Sequence, residues 1–124
     1  MPKTAEHLAQ SRHNLRFAQS FDLEHTEYLD WVVTVYFYAA LHLVDAILHF
    51  RDLYDPPYHE MRRDCFRTKS YLHDISYSYK QLKDRSEDAR YRLIPFTREQ
   101  VEKEIIPLYN KIEAHILRML PGNK

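Results

Sequence analysis

From Trp31 to Phe50 the chain is apolar on almost every side of a helix, and that run decides most of what it can fold into. Val32, Val33, Val35, Phe37, Ala39, Ala40, Leu41, Leu43, Val44, Ala46, Ile47 and Leu48 leave no continuous polar face. A helix on the outside of a small bundle needs only one apolar stripe. This one must sit at the centre of the fold or bury its second face against another chain, so a homodimer is the expected assembly. The run is about as long as a membrane span, but His42, Asp45 and His49 interrupt it and no basic flank anchors it. A buried helix is the better reading, and no membrane partner is expected.

The single glycine among 124 residues, Gly122, lies in the tail. That excludes a Gly-rich phosphate loop and a protein built from tight hairpins. One cysteine allows neither an internal disulfide nor a thiolate zinc site. Eighteen Lys and Arg balance eighteen Asp and Glu, which removes any whole-chain attraction to nucleic acid or to an anionic membrane. The opening Met-Pro-Lys-Thr-Ala-Glu-His has no apolar core like that of a signal peptide, so the expected compartment is the cytoplasm.

With glycine absent, prolines and caps must set the boundaries. Thr4 can cap a helix over 4–21, with Leu8, Leu15, Ala18 and Phe21 on one face. Cap chemistry at Asp22 to Thr26 opens a second helix over 26–50. Pro56-Pro57 stops it and allows a third over 58–70. A fourth over 74–91 turns Ile75, Tyr79, Leu82 and Ala89 inward and ends before Pro95. Thr97 and Gln100 form a capping box for a last helix over 97–120, which Pro107 should kink or make irregular. Every connection is short, so the expected fold is one all-α domain, an up-and-down bundle of four or five helices.

Two sets of residues bear chemistry. Tyr38, His42, Asp45 and His49 recur at spacings of four, three and four, forming one polar stripe on the apolar helix. Such a stripe suits a histidine base steered by a carboxylate, a two-histidine-plus-carboxylate metal site, or a satisfied hydrogen-bond network that fixes register. A metal would need a further ligand from another helix, and no paired Glu-x-x-His motif exists, so the network is the expectation and no metal is assigned. The second set is basic. Between 51 and 98 Arg and Lys outnumber the acids, with Arg62, Arg85, Arg90 and Arg92 as candidate phosphate ligands because guanidinium binds phosphate bidentately. Asp64, Asp84, Glu87 and Asp88 lie among them and would neutralise several as surface ion pairs.

The string Val35-Tyr-Phe-Tyr-Ala-Ala-Leu-His42 resembles the second-helix signature of HEPN domains. His59, in His59-Glu-Met-Arg62, and Arg85-Ser-Glu-Asp-Ala-Arg-Tyr91 extend the likeness over the central half of the chain. The resemblance implies an up-and-down helical bundle that usually dimerises, with functions centred on RNA and nucleotides. These include metal-independent ribonucleases, toxins paired with minimal nucleotidyltransferases, and inactive binding relatives.

Active members use an Arg followed four to six residues later by a His, the Arg holding the phosphate and the His removing the 2′-hydroxyl proton. Arg85 matches the family's arginine, but Arg90 stands in the histidine slot, and arginine is no base near neutral pH. Only Arg67 and His73 satisfy the spacing, at a helix end, where eight histidines make one such match unsurprising. The expectation is therefore a non-catalytic HEPN-like module, without cofactor, binding RNA or nucleotide phosphate or a protein partner such as a nucleotidyltransferase. The alternatives are a metal-independent endoribonuclease and a pure interaction scaffold. The inward polar stripe, with His59 added to Tyr38, His42, Asp45 and His49, is the second candidate region.

Overall fold

The run beginning at Trp31 is helical without a break, from Leu29 to Asp52, and the other helices enclose it. The computed structural model describes residues 3–122. In chain order the elements are α1 (Thr4–Gln19), α2 (Leu29–Asp52), α3 (His59–Thr68), a 3-10 segment (Ser70–Ile75), α4 (Ser76–Tyr91), α5 (Arg98–Gln100), a π turn (Val101–Ile105) and α6 (Ile106–Met119). The described residues contain no strand, and the architecture is an all-α bundle.

On α2, Val32, Val33, Phe37, Ala39, Ala40, Val44, Ala46, Ile47 and Leu48 expose no surface. The helix is long and apolar enough to cross a membrane, yet 78% of its apolar stretch is buried inside the fold. Most of the helix is enclosed within one chain, while Trp31 and Phe50 near its two ends stay exposed. Small residues let the neighbours come close. Ser11 on α1 donates to the Ala39 carbonyl at 2.8 Å, while Thr4 meets His49 and His7 meets His42, so α1 runs antiparallel to α2.

The segment boundaries have local causes. The Leu53 and Tyr54 amides donate back to the His49 and Leu48 carbonyls, and Leu53 takes a left-handed conformation at φ 52°. That position favours glycine, and the chain has none to offer. The 3-10 segment replaces the expected start of the fourth helix. Its three-residue period buries both Leu72 and Ile75, and α4 begins only at Ser76. Thr97 and Gln100 exchange the two bonds of the capping box at 3.1 and 2.8 Å. Pro107 then lies in the first turn of α6. The turn before it widens, the Ile106 amide donating to the Val101 carbonyl five residues back, and so absorbs the proline without ending the helix.

Leu53→Gly should stabilise the fold, because a left-handed leucine costs about 1 kcal/mol and its side chain is 74% exposed, so little packing is lost. The expected gain is about 0.5–1 kcal/mol, measurable as a higher thermal midpoint. Leu53→Pro should lower it, since the Leu53 amide donates to His49.

Candidate functional site

The polar groups of α2 reach three other helices: Tyr38 turns to α4, His42 and His49 to α1, and Asp45 to α3. Tyr38 accepts a hydrogen bond from Arg90 Nη1 on α4. His42 Nδ1 faces His7 Nδ1 on α1 at 3.1 Å, and His7 Nε2 lies 3.1 Å from Asp55 Oδ1. Asp45 is clamped by Arg62 on α3, Nε to Oδ1 at 2.7 Å and Nη2 to Oδ2 at 3.0 Å. His49 Nδ1 accepts from the Thr4 amide at 3.1 Å and lies 2.8 Å from its hydroxyl, closing the first turn of α1. His59 is not inward: it stands exposed at the start of α3, its ring 6.2 Å from that of Phe37.

The Arg62–Asp45 pair is a doubly hydrogen-bonded ion pair with both side chains buried. The geometry is fork on fork, and Arg62 Nη2 also donates to the Pro56 carbonyl at 3.2 Å. Arg62 is thus a structural cation with no charge left for a ligand. Two more of the four candidate arginines share one partner: Arg85 Nε lies 3.4 Å and Arg92 Nη1 2.6 Å from the Asp88 carboxylate, whose single charge offsets only one of the two.

Arg90 differs. It is half-buried, its Nε donates to the Ser86 carbonyl at 3.2 Å and its Nη2 to the Ser86 hydroxyl at 3.1 Å. Its guanidinium carbon lies 5.7, 5.2 and 4.9 Å from the ring centres of Phe37, Tyr38 and Tyr91. Among the described residues no carboxylate neutralises it.

Between α3 and α4 lies a groove of ≈ 340 Å³ whose lining carries Arg63, Arg67, Lys80 and Lys83 together with His59, Phe66, Tyr79 and the acids Glu60 and Asp84; Arg90 stands outside this lining. Lys80 pairs with Asp84 and Lys83 with Glu87 one turn on. Arg63 is exposed and makes no ion pair among the described residues. The Tyr79 hydroxyl is buried there next to the Arg62 guanidinium and makes no hydrogen bond of ordinary geometry, while burial pushes its pKa up. His59 is exposed as a residue, but partial desolvation of its ring and the nearby charges of Arg62, Lys83 and Arg90 hold the imidazole below its ordinary pKa. Burial likewise lowers that of His42. Cys65 is buried, and desolvation raises its thiol out of the reactive range.

Arg67 and His73 do not form a catalytic couple. The Arg67 guanidinium turns to Asp64 at 2.8 Å, and the His73 ring reaches only the Arg67 backbone carbonyl, 3.4 Å away. Two participants are absent from the sequence reading, His7 and Asp55. The spacing of His7 and Ser11, both buried one turn apart on α1, was the available signal for the first. Asp55 lies in the irregular stretch before Pro56, where spacing carries no information.

No family model, no curated protein and no solved structure matches the chain.

Two measurements test this electrostatic picture. Asp45→Ala or Arg62→Ala alone should cost about 3–5 kcal/mol in urea unfolding, because each strands a buried charge. The double variant Asp45→Leu, Arg62→Met should lose far less, as an apolar pair leaves no charge behind. In an NMR pH titration His59 should show a midpoint below the ordinary value of about 6.5. A depressed folded-state pKa contributes stability above the unfolded value and loses it as pH falls, so acidification should destabilise the wild type more than His59→Gln.

Proposed function

We propose that this chain is a HEPN-like helical module that binds a phosphate-bearing ligand, RNA or nucleotide, without cleaving it. The binding face runs from Arg90 along the groove between α3 and α4. One observation carries the reading: Arg90 is a half-buried guanidinium with no carboxylate among the described residues. Three of its five N–H donors are held by Tyr38 and Ser86. This fixes the fork in place and leaves two donors and an unbalanced positive charge. A desolvated cation of this kind attracts an anion more strongly than a solvated surface lysine does. Arg63, exposed and without an ion pair among the described residues, extends the positive face.

The likeness between Val35–His42 and the HEPN signature agrees with this reading, and it brings two further proposals: assembly as a homodimer and a protein partner such as a nucleotidyltransferase in a toxin–antitoxin pair. A second reading has its own support. His59 is an imidazole kept unprotonated at neutral pH beside three cations. That arrangement suits a general base in metal-independent RNA cleavage, with Arg90 on the phosphate.

Fluorescence anisotropy of a labelled single-stranded RNA, at low salt and in chelator, separates these readings. The wild type should bind, and Arg90→Gln should weaken binding at least tenfold, as expected for one charge-assisted contact of about 1.5–3 kcal/mol. Lys83→Ala and Arg63→Ala should each weaken it less and lower the salt dependence. Bound phosphate should draw the His59 midpoint upward, since an anion favours the imidazolium. A flat titration defeats the binding proposal. RNA cut in chelator by the wild type and left whole by His59→Ala favours the nuclease.

A further inference from the structure

We propose that His7 and His42, through their Nδ1 atoms, and Asp45, through its carboxylate, form a site for a divalent first-row transition-metal ion such as zinc. It is independent of the groove between α3 and α4. The sequence offers only His42 and Asp45 from α2; the fold supplies the missing ligand from α1.

The geometry suits an ion. Two facing imidazole lone pairs repel unless a proton or a cation lies between them. The Nδ1 atoms are 3.1 Å apart. Nitrogens bound at 2.0–2.1 Å stand about 3.3 Å apart on a tetrahedral ion and about 2.9 Å apart at a right-angled one, values that bracket the observed separation. An oxygen of Asp45 falls within the same cluster, where every donor atom lies within 4.8 Å of the others. Arg62 takes one lone pair on each Asp45 oxygen, which leaves each oxygen another to give.

The surroundings resemble those of a built metal site. Asp55 Oδ1 lies 3.1 Å from His7 Nε2, placed to accept a hydrogen bond from Nε2–H when Nδ1 is the ligating atom, with Nδ1 facing His42. A carboxylate behind a ligating histidine is the usual outer-shell arrangement, because it fixes the tautomer and raises the basicity of the ligand. Asp45 and Asp55 against Arg62 leave the pocket one net negative charge, which favours a dication. His7 and Asp45 are buried, and His42 is half-buried. Two histidines and one carboxylate with open positions are a donor set for zinc or ferrous iron rather than for magnesium or calcium. The other cluster of this kind, Asp22, Glu24 and His25, is fully exposed and lacks any buried ligand.

Equilibrium dialysis of the full chain, stripped with chelator and titrated with zinc against a chromophoric competitor, tests the proposal. One zinc per chain is expected. His7→Gln and His42→Gln should each weaken binding at least tenfold, Asp55→Asn should weaken it about tenfold, and His25→Ala should leave it unchanged. X-ray absorption of the zinc-loaded wild type should count two imidazoles around the metal, a readout that stands even where a variant folds poorly. Absence of stoichiometric zinc, retention of it by the His7→Gln, His42→Gln double variant, or a shell without two imidazoles overturns the assignment. A hydrogen bond between the two rings would then be all that joins them.

Discussion

Everything in this fold answers to the need to bury α2 with ionisable and hydroxyl groups along it. Each fully buried Val, Leu, Ile or Phe contributes roughly 1.5–3 kcal/mol, so the helix is driven inward as a unit and takes Asp45 with it. A lone carboxylate there would cost several kcal/mol or become protonated. Arg62 resolves the conflict, and in doing so dictates where α3 must run. The remaining polar groups act the same way. Tyr38 is matched by Arg90 on α4, His42 by His7 and His49 by Thr4 on α1. Apolar packing drives the neighbours onto α2, but apolar surfaces slide; these four directional contacts select one register for each neighbour.

That division explains what the sequence disclosed. Periodicity identified the inward faces of the helices, and Ile75, Tyr79, Leu82 and Ala89 are all buried where spacing placed them. Proline and the Thr97–Gln100 box marked the ends. The 3-10 segment escaped notice because Tyr71, Leu72 and Ile75 suit an α-helix as well as a tighter one. The choice rests on a tertiary contact, His115 Nε2 with the Tyr71 carbonyl at 2.8 Å. The polar stripe was legible as a stripe, but its partners were not. His7 and Arg62 lie 35 and 17 residues from the groups they meet, and nothing local encodes that distance.

The arginines show why counting basic residues says little about anion binding. Arg62 and Arg92 look equivalent on paper, yet one is sealed in the core and the other is an exposed partner of Asp88. Neutralisation, not position in a motif, separates structural from available cations. By that criterion Arg90 stands apart. Its ring contacts with Phe37, Tyr38 and Tyr91 supply weak quadrupolar compensation where a carboxylate would have cancelled the charge.

The Arg62–Asp45 pair also has a direction. Its carboxylate end looks toward His42 and His7, and its guanidinium end toward His59 and Tyr79. The proposed cation site lies at the Asp45 end of this dipole, where the polarity suits a cation. In a low-dielectric interior such an alignment is felt across the pair rather than screened away. The Arg62–Asp45 contact thus joins the surroundings of His42 and His7 to those of His59 and Tyr79 through one buried ion pair.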